Sequence, residues 1–213
     1  MTSPSPVAPD ALPELLADLA AAAAGTRSRL RVAIDGAEAA RPADLADALV
    51  DPVRRRGLAA LRVRAGDYLR PASLRFEHGR TDPDAYYEGW LDAGALEREV
   101  LQPLGPGGTG RWLPTLWDPV TDRATRAGYA PAPPRAVLLV DGALLLGRGL
   151  SFDLTVHLHL SDAALGRRTP AEAQWTLPAL VRYATEVAPT RTADVVIRAD
   201  DPRHPAIQLR DVA

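Results

Sequence analysis

The sequence predicts a three-layer α/β fold, with a mainly parallel five-stranded sheet flanked by helices. Three observations predict it. Five runs of strand length are apolar almost throughout, as strands covered on both faces are. Segments with helical spacing of apolar residues separate them. Strand and helix alternate along the chain, which argues for right-handed crossovers within one sheet. The 213 residues suffice for one hydrophobic core. The expected organisation is a disordered tail over residues 1–9 followed by a single domain over residues 10–213.

Taken in order, residues 2–9 are rich in proline and serine and give the tail. Leu12, Leu15, Leu16 and Leu19 recur at helical spacing, in a helix that ends near Gly25. The five strands are "RLRVAID" (29–35), "LAALRVR" (58–64), "AVLLVDG" (136–142), "FDLTVHLHL" (152–160) and "ADVVIRA" (193–199). Helical segments fall at "RPADLADALVDPVRRR" (41–56), "PDAYYEGWLDAGALEREVLQPL" (83–104) and "TPAEAQWTLPALVRYATEV" (169–187). "LGPGGTG" and "APAPPR" read as loops.

Composition narrows the function. Hydrophobic residues at 46% and charged residues at 24% describe a globular chain. A net charge of -2 gives no general attraction to nucleic acid or to an anionic membrane. The absence of cysteine excludes disulfides, thiolate metal sites and a cysteine nucleophile. Lysine is absent too, so every basic side chain other than histidine is arginine. The N-terminus lacks a basic leader and carries Asp10, Glu14 and Asp18 within its apolar part, unlike a secretion signal. The remaining apolar runs are shorter than the roughly 20 residues of a membrane helix. The expectation is a soluble cytoplasmic protein.

In open parallel sheets ligands bind at the carboxyl ends of strands, which directs attention to the turn after Asp35. "AIDGAEAARPADL" begins like a phosphate-binding loop, G-x-x-x-x-G-K-S/T, whose backbone N–H groups, lysine and hydroxyl hold phosphates and magnesium. At those spacings Gly36 is followed by Arg41, Pro42 and Ala43. Arg41 puts a side chain where backbone should approach phosphate. Pro42 supplies neither ammonium nor N–H, and Ala43 supplies no hydroxyl. Read as structure alone, Pro42 opens a helix with Asp44 in its first turn. "HLH" places His157 and His159 on one face of a strand, as zinc would need, but further ligands are not supplied nearby.

Five segments together resemble the uridine kinase family of P-loop kinases: "VAIDG" (32–36), "GDYLRP" (66–71), "DPDAYYEGWLDAGALEREVLQPLGPGG" (82–108), "VLLVDGALLL" (137–146) and "RTADVVIRADDPRHP" (191–205). The resemblance implies a P-loop NTPase-type fold and magnesium-dependent transfer of a phosphoryl group from ATP or GTP to the 5'-hydroxyl of a pyrimidine nucleoside. It implies that Gly36, Arg41, Pro42 and Ala43 form the phosphate loop and that Asp141 stands where an acid holds magnesium. Arg167 and Arg168 stand where the lid supplies arginines. The expected acceptor base falls on Gly66, with Asp67 next to it as a substitute base. The ribose-binding aspartate falls on Gly89, flanked by Glu88 and Asp92, while Trp90 reads as core. Of the base-contacting loop, Asp201 and Pro202 remain.

Since phosphoryl transfer rests on positioning and electrostatics, these departures favour a degenerate nucleoside kinase homologue, a pseudoenzyme retained for binding or regulation. The alternatives are an active kinase that uses Arg41, Asp67 and Asp141 in a displaced geometry, and a structural partner whose cleft is filled. A nucleoside or nucleotide is the expected ligand; nucleic acid and membrane are not expected partners, and no protein partner is indicated.

Overall fold

The structure, a computed structural model, describes residues 2–210. Its centre is a seven-stranded sheet built from β1 (Ser5–Pro6), β2 (Arg29–Asp35), β3 (Ala59–Arg64), β4 (Ala136–Gly142), β5 (Leu154–His159), β6 (Val195–Arg198) and β7 (Ala206–Leu209). The order across the sheet is β1-β7-β6-β5-β2-β4-β3. The five strands from β3 to β6 are parallel. The two at the far edge are antiparallel.

The principal helices are α1 (Leu12–Ala24), α2 (Pro42–Ala48), α3 (Val50–Arg55), α4 (Pro83–Gly89), α5 (Ala93–Leu96), α6 (Asp162–Arg168) and α7 (Leu177–Glu186). A π-helical turn, Glu97–Leu101, extends α5. One core lies under α1 to α3 and includes Leu16, Val32, Ile34, Leu45, Val53, Val137 and Leu139. The other lies across the sheet under α5 and α7 and includes Ala33, Val63, Leu96, Leu101, Leu138, Val140 and Tyr183. Alternate residues of β4 thus serve opposite cores, so the strand is continuously apolar. In α1 the sheet-facing residues are Leu12, Leu16, Ala17, Ala20 and Ala24, while Leu15 is exposed.

All five expected strands are present, and two more correct the count. Residues 2–9, expected as a disordered tail, instead lie along the sheet edge: Thr2 N donates to Leu209 O at 2.9 Å and Val7 N to Pro205 O at 3.0 Å. Proline is tolerated at an edge, where one side of the strand needs no ladder bond. Its partner β7 is a four-residue strand too short for a period to show.

Candidate functional site

The sheet register brings two acids to the carboxyl ends of adjacent strands. Asp35, the last residue of β2, lies opposite Gly142 on β4 and His157 on β5. It is fully buried. Its carboxylate contacts His157 Nδ1 at 2.7 Å and accepts from Tyr183 OH at 3.0 Å and Leu145 N at 2.9 Å. Tyr183 OH in turn accepts from Leu146 N at 3.0 Å. Burial, and then the Asp35 charge, push the Tyr183 phenol far up, so it stays a donor. The network fixes the loop after β4 to β2, β5 and α7.

The segment after Asp35, expected as a phosphate loop, closes on itself. Glu38–Ala40 forms a 3-10 turn. Ala40 N bonds to Ala37 O at 2.8 Å and Arg41 N to Glu38 O at 2.9 Å, so these donors are turned to the chain's own carbonyls. Arg41 adopts left-handed backbone angles, φ 60° and ψ 54°, which carry a cost for a residue with a side chain. Its exposed guanidinium pairs with Asp44, one turn on. Pro42 is buried at the start of α2, the helix-opening position its fixed φ suits. Glu38 is the charged side chain of this segment that lines the cleft described below.

Asp141, the acid expected at a metal position, is buried next to the last residue of β4. Arg62 on β3 donates to its Oδ1 at 2.7 Å and to Asp47 Oδ1 on α2 at 2.9 Å. The guanidinium also reaches Leu139 O at 3.3 Å and Ala43 O at 3.5 Å. A magnesium ion held here needs oxygen ligands from several groups. Asp141 already serves a guanidinium, Ala43 has no hydroxyl, and no group of three or more His, Cys, Asp or Glu is placed to hold a metal among the described residues. The donor set does not fit the ion that the fold family implies.

A cleft of about 440 Å³ opens at these strand ends, between Glu38 and Ala43, Arg64 to Gly66 at the end of β3, Asp141 to Leu144 at the end of β4, and Tyr86 and Trp90 of the α4 region. Gly142 closes its floor: a Cβ there would lie 2.6 Å from that of Ala65. Gly66 lines the cleft and Asp67 does not. Asp67 sits in the 3-10 turn Ala65–Tyr68. Burial pushes its carboxyl up, Arg64 pulls it down, and the Asp141 and Asp118 charges add to the rise. Tyr68 is buried with its hydroxyl on Leu113 O.

Trp90, expected as core, lines the cleft and packs against Phe76, Tyr86 and Trp175 at centroid distances of 5.6, 5.2 and 5.3 Å. Burial pushes the Tyr86 phenol up to about 12, with the Glu38 and Asp35 charges adding. Glu88 is paired to Arg182 at 2.9 Å. Asp92 caps α5 by accepting from Ala95 N at 2.9 Å. Neither carboxylate lines the cleft. Arg148 does, bonding Leu144 O and Tyr87 O. Burial lowers its pKa, while Tyr87, Tyr183, Tyr86 and Asp35 act in the opposite direction.

The remaining expected residues lie apart from this cleft. Arg168 donates to Ala199 O at 2.9 Å and Asp200 O at 2.6 Å, tying α6 to the end of β6. Arg167 is exposed at the end of α6. Asp201 is held down to about 2 by hydrogen bonds from His204 and Arg203. His157 is committed to Asp35, and burial together with His157 lowers the pKa of His159. Sequence reasoning missed Arg62, Arg64, Arg148 and the Asp35–His157–Tyr183 network. One signal was present, an arginine inside an otherwise apolar run at Arg62; the partners became visible only with the register.

No protein-family model matches the chain, and no curated protein does. Solved structures match over most of its length. A possible uridine kinase from Bacillus stearothermophilus has a TM-score of 0.69 at 20% identity, over 86% of this chain and 96% of that one. A protein from Silicibacter sp. TM1040 described as a fructose transport system kinase gives 0.59 at 21%, over 85% and 90%. D-glycerate 3-kinase from Cryptococcus neoformans gives 0.54 at 14%, over 85% and 81%. With its mostly parallel sheet, the chain shares the fold of these solved structures.

Proposed function

We propose that this protein is a nucleoside kinase homologue that has lost efficient ATP-dependent phosphoryl transfer and binds a nucleoside or nucleotide in the strand-end cleft. The observation that carries the reading is the phosphate loop. Arg41 turns out to Asp44, Pro42 and Ala43 stand in place of the lysine and the hydroxyl, and Glu38 presents a carboxylate to the cleft. Charge-assisted bonds to phosphate are worth roughly 1.5–3 kcal/mol each, and several are missing. At the acceptor end Gly66 occupies the base's position, and a general base is worth roughly a factor of 10² to 10⁴. Losses at both ends of the transferred group leave negligible turnover even if they are not additive.

The test is a radiolabelled phosphate-transfer assay from ATP and GTP to uridine and cytidine, run beside calorimetric titration of the nucleosides. Nucleoside binding without transfer agrees with the proposal. Turnover at the rate of an ordinary kinase, on the order of 1 per second or faster, overturns it.

A further inference from the structure

The side chain of Arg62 lies where the phosphate-transfer chemistry of this fold would place a metal ion. Its guanidinium touches the Asp141 carboxylate and the carbonyl of Ala43. Those are the acid at the end of β4 and the residue at the loop's hydroxyl position, so the positive charge stands at the junction of the two. Asp47 holds its other side at 2.9 Å. A guanidinium cannot discharge by losing a proton, because its pKa lies above about 12. A divalent ion on Asp141 would therefore have to displace Arg62 from a buried carboxylate or sit beside an undiminished like charge. Either is costly in a site of low polarity.

The rest of the cleft carries charge of its own. Arg64 is exposed at the rim and makes no ion pair among the described residues. Arg148 bonds only backbone carbonyls, which leave its net charge uncompensated. Glu38 faces the same space and opposes a ligand bearing several negative charges. Tyr86 and Trp90 offer aromatic surface beside these groups.

We propose that Arg62 is a resident cation in the metal's place, and that the cleft takes a metal-free ligand, an aromatic ring bearing one compact anionic group such as a phosphate monoester, received by Arg64 and Arg148. The inference rests on the reading of this cleft as the ligand site.

Manganese(II) binding followed by electron paramagnetic resonance tests the first half on the wild-type protein, Asp141→Asn, Arg62→Gln and the double variant. The wild type is expected to leave millimolar manganese(II) free. Arg62→Gln, which keeps a hydrogen bond to Asp141 without the charge, is expected to gain binding that the double variant loses. Wild-type binding abolished by Asp141→Asn overturns the proposal, as does a folded Arg62→Gln without gain. The wild-type result decides even if a variant does not fold.

Calorimetry with uridine monophosphate and uridine in EDTA tests the second half. The monophosphate is expected to bind at least about tenfold tighter, the advantage falling away in Arg64→Gln/Arg148→Gln. Equal affinities overturn the anion assignment while leaving the nucleoside-binding reading intact. Binding of neither compound overturns both. A monophosphate that binds only with magnesium overturns the metal-free site.

Discussion

Asp35 shows how much a single buried carboxylate carries. It accepts from Tyr183 OH and Leu145 N and contacts the His157 ring, with no exposure to water. Removing it strands several buried polar groups, so Asp35→Ala is expected to lower stability by about 3 kcal/mol or more in urea unfolding. Arg41 is the opposite case. Its ion pair to Asp44 is exposed and local, so Arg41→Ala is expected to change stability by less than about 0.5 kcal/mol, and to leave ligand affinity unaltered. Weakened nucleotide binding in Arg41→Ala would mean that the loop still grips phosphate. That Pro42 and Ala43 depart from the phosphate-loop motif could be read from the sequence, because a motif is local and its missing groups can be counted. Asp35 and His157 are 122 residues apart. Nothing local joins them, nor Arg62 to Asp141, until β2, β3, β4 and β5 are set in register.

At the scale of elements, the five parallel strands were readable because burial on both faces removes polar residues from them. Leu139 in the middle of β4 is 1% exposed. Leu139→Ala is expected to cost roughly 2–5 kcal/mol by denaturant unfolding, the range for emptying a packed site. The edge strands were not readable, since Ser5–Pro6 contributes backbone bonds and no buried side chain. Another link between elements is ionic. Arg31 on β2 holds Asp153, just before β5, through contacts of 2.8 and 2.9 Å. Burial alone would raise the Asp153 carboxyl, but the Arg31 hydrogen bonds and charge outweigh it and hold the group below its ordinary value. A depressed folded-state pKa gives stability that is present above the unfolded carboxylate value near 3.9 and lost as pH falls through the folded value. Asp153→Asn is therefore expected to flatten the acid limb of a stability profile below about pH 4, read by thermal melts across pH. An unchanged acid limb would show that other carboxylates set it.

For the molecule as a whole, the chain has the sheet fold of the kinase structures it matches, with a cleft at the strand ends where Arg62 is bonded to Asp141; the proposed reading is that this cleft no longer grips a metal–triphosphate complex. Among the described residues no helix is long and apolar enough to cross a membrane. The measurement that tests the central claim most directly is thermal unfolding with millimolar ATP or GTP, with and without magnesium, because a ligand of the native state must raise its apparent stability. A site half-saturated at one hundredth of the ligand concentration would add about 2.7 kcal/mol, some 5–10 °C in a chain of this size. No magnesium-dependent shift with either triphosphate is the predicted result. A shift of that size that requires magnesium would contradict it and return the protein to the working kinases.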